Sequence, residues 1–228
     1  MGTDWKLSYL QPLIQSYYEH HDEQYAEWSK QYLRNQFEFI GIRTPKRRQL
    51  TKNFLENNGL PPKEKLKEVI QALWNMDERE FQKAALDILE KCKRQLKGED
   101  IRWISQLIVE KSWWDTVDVL APHIIANLFL TYPQYTSQYV ESWIEDDNIW
   151  LQRSAIISQL FYKEKTDEKL LSHCVLRRAN SDEFFVQKAI GWALRQYAKT
   201  NPDYVRSFVA DNDLKPLSKR EALKNLSI

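Results

Sequence analysis

Gln82-Lys83-Ala84-Ala85 has two later counterparts in the chain, Gln152-Arg153-Ser154-Ala155 and Gln187-Lys188-Ala189-Ile190. Their separations of 70 and 35 residues indicate a repeating unit of 35 residues, with one divergent copy between the first two. Four residues able to cap a helix follow the same step: Asp77, Ser112, Asp147 and Asp182. Because two helices fit within 35 residues, the sequence predicts an α-solenoid of HEAT-like or armadillo-like helix pairs.

The composition favours an all-α chain of one domain. The 228 residues include only five Gly and eight Pro, too few for the tight turns of an all-β protein or the glycine-rich loops of nucleotide folds. Apolar residues recur at helical spacing along most of the chain. One position of the repeat is apolar in every copy: Leu50, Ala85, Leu120, Ala155 and Ile190. No linker interrupts the pattern, so we expect a single domain over residues 1–228.

Capping patterns predict where the helices begin. Helix N-termini typically have Ser or Asp followed three residues later by an acidic residue, or a polar residue directly before proline. These signals are Asp77 with Glu80, Ser112 with Asp115, Ser218 with Glu221, Thr44 before Pro45, and Asn201 before Pro202. They divide the chain into about a dozen short helices.

The sequence also bears on the compartment. Charges within Met1–Leu10 interrupt the apolar run that a signal peptide needs. Val119–Val140 contains no Asp, Glu, Lys or Arg, but Pro122 and other polar or proline residues interrupt it, so we expect a buried protein centre rather than a membrane span. Cys92 and Cys174 form no CxxC pair, which is typical of a reduced chain. We therefore expect a cytoplasmic protein.

Charge recurs at one position of the repeat. The residues there are Arg48, Lys83, Asp118, Arg153 and Lys188, four cations interrupted by one carboxylate. Equivalent helices pack roughly 10 Å apart, so five copies span about 40 Å, comparable with one turn of duplex DNA. The sequence therefore predicts a concave basic groove that follows a phosphate backbone. Since the whole chain carries a net charge of only +1, acidic residues must lie on other surfaces.

More cations surround the first of these positions. Arg43, Lys46, Arg47 and Lys52 lie close to Arg48 in sequence. Thr44 stands at a predicted helix start, where free backbone N–H groups also favour phosphate. We expect this segment to contact DNA.

The isolated carboxylate, Asp118, has two interpretations. Solenoids often join neighbouring repeats through acid–base pairs, and the charges alone leave that structural role and a functional one equally open. Trp114 lies one helical turn before Asp118, and Trp192 lies one turn after Lys188. Two indoles near a carboxylate in a cationic groove favour a functional site.

Several catalytic chemistries lack their motifs. The sequence has no HExxH, Walker, GxGxxG or GxSxG pattern, and His123 and His173 are isolated. Metal-dependent and nucleophilic Ser or Cys catalysis are therefore disfavoured. A carboxylate in such a groove stabilises developing positive charge or orients a water, which cleavage of a glycosidic bond requires.

Five segments, taken in order, resemble one family. The segments are Phe39–Pro45, Lys111–Asp118, Asp147–Arg153, Phe185–Trp192 and Pro216–Ala222, and they include the strings Trp113-Trp114-Asp115-Thr116-Val117-Asp118 and Asn148-Ile149-Trp150-Leu151-Gln152-Arg153. They closely resemble the AlkD-type alkylpurine DNA glycosylases over nearly the whole chain. The resemblance implies a right-handed superhelical α-solenoid of HEAT-like repeats. It also implies removal of N3- and N7-alkylated purines, such as 3-methyladenine and 7-methylguanine, from duplex DNA.

The resemblance implies roles for individual residues. Asp118 is the expected catalytic carboxylate, Trp114 and Trp192 are its aromatic walls, and Arg153 is its basic neighbour. The expected DNA contacts are Tyr32, Arg43, Thr44, Arg47, Arg48, Lys83, Trp113 and Lys188. No metal, other cofactor or membrane is implied, and a bacterial, monomeric enzyme acting on the nucleoid is expected.

A second hypothesis comes from a different functional class. A noncatalytic HEAT-like scaffold would bind DNA or a protein partner on the same concave face. Tight binding of unmodified partners would distinguish it from a glycosylase.

Overall fold

A computed structural model describes residues 5–226. Residues 1–4, on which part of the signal-peptide argument rests, lie outside the described residues. The chain packs as two compact units, the first ending at Leu96 and the second beginning at Lys97. The single domain expected over residues 1–228 stays a prediction, because two such units can belong to one solenoid.

Residues 5–226 form an all-α structure, which confirms the predicted fold class. The only extended pairing among them is an isolated bridge between Glu38 and Glu78. The α-helices are α1 (Trp5–Tyr18), α2 (Glu23–Tyr32), α3 (Thr44–Asn58), α4 (Lys63–Asn75), α5 (Arg79–Cys92), α6 (Ile101–Val109), α7 (Trp114–Val119), α8 (Ala126–Thr131), α9 (Thr136–Glu145), α10 (Ile149–Ile157), α11 (Glu168–Arg177), α12 (Phe184–Tyr197), α13 (Pro202–Asp211) and α14 (Pro216–Leu223). The superhelical hand, the concave groove and the HEAT-like assignment stay predictions.

The first helix of each repeat begins at a constant interval. Helices α3, α5, α7, α10 and α12 begin at residues 44, 79, 114, 149 and 184, each 35 residues after the one before. The apolar position of the repeat is buried in every copy, from Leu50 to Ile190. The structure therefore confirms the predicted step of 35 residues.

The residues that precede these helices differ from the predicted caps by one position. The N-cap residues are Glu78, Trp113, Asn148 and Glu183, whereas Asp77, Ser112, Asp147 and Asp182 were expected. Among these four N-caps, Asn148 accepts a hydrogen bond from a helix N–H, that of Trp150, at 2.9 Å. Tertiary packing, rather than cap chemistry, sets the helix starts in the other three repeats.

Among the individual capping predictions for Thr44, Ser112, Ser218 and Asn201, only that for Asn201 is correct. The N-cap of α3 is Arg43, so Thr44 is already helical. Ser112 donates to the Ile108 carbonyl oxygen at 2.8 Å instead of capping α7. Ser218 lies inside α14, which begins at Pro216. Asn201 does cap α13, since its side chain accepts from the Tyr204 N–H at 3.2 Å.

Most of the apolar segment of residues 119–140 is helical. Its first half, up to Phe129, is mostly buried as predicted, whereas residues 130–139 are exposed or half-buried. Helix α7 continues into a π-helical segment, Leu120–Ile125, and then into α8. Pro122 lies within it, and the missing proline N–H favours a wider turn at such a position. Among the described residues, no helix is both long and apolar enough to cross a membrane.

In the first unit, a buried carboxylate fixes the segment between α2 and α3. Glu80 accepts the backbone N–H groups of Ile40, Gly41 and Ile42 at 3.1, 2.9 and 3.1 Å. Gly41 has a φ of +97°, and a Cβ there would lie 2.0 Å from the Asp22 carbonyl oxygen. Glu80, expected as part of a helix cap, thus orients the start of α3 instead.

In the second unit, α10 packs against α7, α9 and α12, and α14 packs against α12. The contact between α12 and α14 is close at Gly191, where a Cβ would lie 2.3 Å from Glu221 Cβ. The fifth residues of α7, α10 and α12 are Asp118, Arg153 and Lys188. The packing of α10 between the other two helices therefore brings these three residues, which share one position of the repeat, into one region of this unit.

Candidate active site

Asp118 and Arg153 form an ion pair with two hydrogen bonds. Arg153 Nε donates to Asp118 Oδ1 at 2.7 Å, and Nη2 donates to Oδ2 at 2.8 Å. This fork geometry makes the pair both directional and strong. The Arg153 side chain is only 5% exposed, whereas that of Asp118 is 20% exposed. The pair thus presents part of the carboxylate, rather than the guanidinium, to solvent.

Arg153 has two further contacts. Its Nη1 donates to the Phe185 carbonyl oxygen at 2.6 Å, and its Cζ lies 5.9 Å from the centroid of the Trp192 ring. The guanidinium is therefore held by α7, by the start of α12 and by an indole about two turns further along α12. Arg153 was expected as an exposed cation of the basic groove, and its burial contradicts that part of the prediction.

The surroundings of Asp118 act on its charge in opposite directions. Burial raises the pKa of the Asp118 carboxyl above the ordinary aspartate value, although the hydrogen bonds and charge of Arg153 oppose the rise. The nearby Asp115 carboxylate adds to the increase in the Asp118 pKa. Each carboxylate oxygen keeps a further lone pair beyond its bond to Arg153. Asp118 can therefore interact with a cation or a water on its exposed side.

The two tryptophans predicted as aromatic walls lie on the helices of this pair. Trp114 is the first residue of α7, one turn before Asp118, and it is half-buried. Trp192 is half-buried on α12 and faces the guanidinium of Arg153. The structure thus brings Trp192 together with Asp118 and Arg153, and it places Trp114 on the helix that carries Asp118.

Trp113 packs in a cluster of rings. Its ring centroid lies 5.6 Å from that of Trp150 and 5.2 Å from that of Phe185, and these two rings are 5.0 Å apart. Its Nε1 is buried and has no hydrogen-bond partner. The cluster supports Phe185, whose carbonyl oxygen accepts a hydrogen bond from Arg153. This packing does not fit the predicted role of Trp113 as a DNA contact.

Lys188 is tied to the C-terminal helix. Its Nζ lies 3.1 Å from Glu221 Oε1, and Arg195 Nη1 lies 2.5 Å from Glu221 Oε2. Hydrogen bonds from Arg195 and then Lys188 lower the pKa of Glu221. Lys188 remains partly exposed, so it still presents charge to solvent. The sequence predicted Glu221 as part of a helix cap with Ser218, so its ion pairs with Lys188 and Arg195 were not predicted.

Arg47, in the first unit, is not an exposed cation. Its side chain is buried, and its Nη1 lies 2.5 Å from Asp87 Oδ2. Its backbone carbonyl oxygen accepts from the Thr51 hydroxyl at 3.0 Å. The predicted role of Arg47 as a DNA contact does not fit this burial, because its guanidinium joins α3 to α5 inside the unit.

The other predicted contacts of the first unit lie nearer the solvent. Arg43, Thr44 and Arg48 are exposed at the start of α3, and Tyr32 is exposed at the end of α2. Lys83 is half-buried, with its Nζ 5.5 Å from the centroid of the Phe39 ring. These positions agree with the surface placement that DNA contact requires.

Comparisons with known proteins show the family of this chain. A family model described as DNA alkylation repair enzyme matches residues 13–226. The chain belongs to the DNA alkylation repair enzyme family. It is similar to a solved structure described as "Predicted DNA alkylation repair enzyme from Enterococcus faecalis", with 33% identity and a TM-score of 0.85 over 91% of this chain and 97% of that chain. A comparison with curated proteins finds no match.

The thiols of this DNA alkylation repair family member are unsuited to nucleophilic attack. Cys92 and Cys174 are both buried, and burial raises their pKa to about 11 and about 12 respectively. With these pKa values neither thiol is ionised near neutral pH, and the thiolate is the reactive form. Within residues 5–226, no group of three or more His, Cys, Asp or Glu residues is arranged to hold a metal ion.

Proposed function

We propose that this DNA alkylation repair enzyme is a monofunctional glycosylase. It hydrolyses the N-glycosidic bond of N3- and N7-alkylated purines in duplex DNA and leaves an abasic site. The observation that supports the proposal is the partly exposed Asp118 carboxylate, held by two hydrogen bonds from buried Arg153, whose guanidinium lies beside the Trp192 indole.

The substrate supplies much of the driving force. A purine alkylated at N3 or N7 carries a formal positive charge, so it leaves with the electron pair of the glycosidic bond without a strong general acid. Positive charge then develops at C1′ of the deoxyribose. Water adds its oxygen to C1′ and releases a proton, which completes the hydrolysis. The protein must therefore stabilise a cation rather than protonate a leaving group.

Asp118 is the group suited to that task. A preorganised charge aimed at the site of developing charge stabilises the transition state without further reorganisation. Arg153 favours the ionised form of Asp118 and fixes the direction of its oxygens, while its Phe185 contact fixes the guanidinium. The exposed side of the carboxylate faces C1′ and orients the attacking water.

Trp114 and Trp192 complete the surroundings of the cationic substrate. The electron-rich faces of indoles attract a cationic sugar or purine by about 0.5 to 2 kcal/mol for each contact. Trp192 also lies beside Arg153, so its position is coupled to that of the ion pair. The proposed hydrolysis requires no metal, other cofactor or covalent intermediate, and the enzyme does not cleave the DNA strand.

DNA contact is assigned to exposed or partly exposed residues of both units. Tyr32, Arg43, Thr44, Arg48 and Lys83 belong to the first unit, and Lys188 belongs to the second. Each cation that neutralises a phosphate makes binding weaker at higher salt concentration. Duplex DNA is the proposed partner, with the enzyme acting as a monomer.

The test is single-turnover release of 7-methylguanine and 3-methyladenine from methylated duplex DNA, with a chelator present. Wild type should release both bases, and Asp118→Asn should release almost none while binding the same DNA at least as tightly. Thermal unfolding of both proteins checks that the substitution preserves the fold. No release by folded wild type, or equal release by the two proteins, would overturn the proposal.

The same ion pair supports a second candidate function. Asp118 and Arg153 stand one repeat apart, as do the acid–base pairs that join repeats in a noncatalytic scaffold. In a scaffold, neither wild type nor Asp118→Asn would release a base, and the substitution would only lower the unfolding temperature. Tight binding of unmodified duplex DNA, without release from methylated DNA, would favour this function.

A further inference from the structure

Three aromatic rings form a row along α2. Tyr25, Trp28 and Tyr32 follow the helical spacing of three and four residues. The ring centroids of Tyr25 and Trp28 are 5.4 Å apart with planes 12° from parallel, and those of Trp28 and Tyr32 are 5.2 Å apart at 9°. These three residues, called the α2 ring row below, therefore present a continuous set of nearly parallel rings.

The α2 ring row does not serve the core of the first unit. Trp28 is 54% exposed and Tyr32 is 59% exposed. The buried residue of α2 is Ser29, which is not part of the row. Single exposed aromatic residues are ordinary, but an ordered row of large rings on a polar helix is typical of a binding surface.

A cation covers one end of the row. The Arg43 Cζ lies 4.4 Å from the centroid of the Tyr25 ring. A cavity of about 380 Å³ lies there, lined by Asp22, Gln24, Tyr25, Trp28 and Arg43. Its size lies within the range of small-ligand sites, and Gln24 brings an amide able to hydrogen-bond with the edge of a base.

The backbone that leads into Arg43 is fixed in advance. Glu80 holds the preceding backbone through three N–H groups, so the end of this segment does not have to be ordered when a ligand binds. Exposed Lys46 and Arg48 follow Arg43 at the start of α3. One positive charge thus lies on the row and two more follow it in α3, which favours an anionic, aromatic ligand over an apolar peptide.

We propose that the α2 ring row binds single-stranded DNA by stacking unpaired bases against Trp28 and Tyr32, with Arg43 contacting a phosphate. Sites for single strands combine aromatic platforms with a cationic path for the backbone, and each stacked base adds to the affinity. This activity goes beyond the proposed excision from duplex DNA, and the argument uses only residues of the first unit.

The test measures binding of a fluorescein-labelled, unmodified oligodeoxythymidylate by anisotropy. Trp28→Leu should weaken binding about tenfold, and Trp28→Phe should restore most of the affinity, because a ring is kept. Trp5→Leu is the matched control, since Trp5 is also exposed and stacks on Tyr9 at 5.1 Å. Arg43→Gln should lower the slope of log affinity against log salt by about 0.7.

Two results would overturn the proposal. One is absence of oligonucleotide binding by folded wild type, and the other is equal affinity of wild type, Trp28→Leu and Trp5→Leu. The second result would leave the α2 ring row as a surface for a protein partner. Because the oligonucleotide contains no alkylated base, the outcome is independent of whether Asp118 is catalytic.

Discussion

A buried arginine paired with a partly exposed aspartate is found in each unit, and the two pairs differ in how completely the arginine is satisfied. The side chains of Arg47 and Arg153 are both 5% exposed, and those of Asp87 and Asp118 are 28% and 20% exposed. Arg47 reaches Asp87 through Nη1, while its Nε is buried without a hydrogen-bond partner. Arg153 uses Nε and Nη2 on Asp118 and Nη1 on a carbonyl oxygen.

The difference separates a packing contact from a candidate catalytic group. The Arg47 pair lies beside Tyr17 in the packing of α1, α3 and α5. The Arg153 pair lies beside Trp192, and Asp118 has a raised pKa despite its partner. A buried ion pair between repeats therefore does not identify a site. A carboxylate that is fully oriented and yet incompletely neutralised is a better indicator of one.

The largest expected effect distinguishes the two aspartates by their chemistry. Asp118→Asn should lower the single-turnover release of 7-methylguanine about a thousandfold, the size typical of losing one preorganised electrostatic group. Asp87→Asn should leave the rate near that of wild type, because Asp87 is assigned to packing. Comparable losses in both variants would mean that the ion pairs act through folding alone.

The two arginines should matter more equally for stability. Removing one partner of a buried pair leaves an uncompensated charge, so Arg153→Gln and Arg47→Gln should each lower the free energy of unfolding by about 3 kcal/mol. Urea titration measures both values. Only Arg153→Gln should also slow base release in the fraction of protein that stays folded. An equal slowing in Arg47→Gln would contradict the separation of the two roles.

The pH dependence of release tests Asp118 more finely. Its raised pKa means that protonation removes the negative charge at a higher pH than for an ordinary aspartate. The enzymatic rate, corrected for spontaneous depurination, should fall as the pH decreases through that pKa. Arg153→Lys removes the two-bond contact that lowers the Asp118 pKa, so the decline should begin at higher pH. Asp87→Asn should leave the profile unchanged, and a shift there would argue against Asp118 as the titrating group.

Glu221 provides a smaller test in the second unit. Its pKa is lowered by Arg195 and Lys188, so its stabilising contribution is present above the unfolded value of about 4.3 and is lost as pH falls through the lower folded value. Glu221→Gln should lower the free energy of unfolding by about 1 kcal/mol at pH 7. The difference from wild type should disappear in denaturation curves at acid pH. A constant difference at every pH would point to packing instead.

The smallest effects concern the exposed cations. Lys188→Gln should reduce the slope of log duplex affinity against log salt by about 0.9, the amount for one phosphate contact. Arg47→Gln is the control, and its slope should match wild type because the side chain is buried. A slope unchanged in Lys188→Gln would remove Lys188 from the DNA contacts.

Sequence periodicity was sufficient to predict the helices and the step between repeats. It also placed Asp118 and Arg153 at equivalent positions, because a constant step puts equivalent residues of neighbouring helices in contact. It could not separate Arg47 from Arg48, although one is buried and the other exposed. Adjacent residues of a helix point about 100° apart, and the charge pattern does not state which direction faces the core.

The remaining errors have a common physical origin. Arg153 is fixed by the main-chain carbonyl oxygen of Phe185, and a carbonyl group has no signature in a sequence. Glu80 and Glu221 lie at spacings typical of capping pairs, but both side chains form tertiary contacts instead. Local chemistry allowed either outcome, and long-range packing decided between them.

The constant interval between helix starts also limits how this chain can change in length. The second helices of successive repeats, α4, α6, α9, α11 and α13, begin at intervals of 38, 35, 32 and 34 residues, whereas the first helices keep 35 throughout. Insertions and deletions are thus compensated before the next repeat opens. One uncompensated residue between Asp118 and Arg153 would change the orientation of Arg153 by about 100° if the intervening helices kept their places. Length variation is therefore tolerable in the connections within a repeat, but not in the count from one repeat to the next.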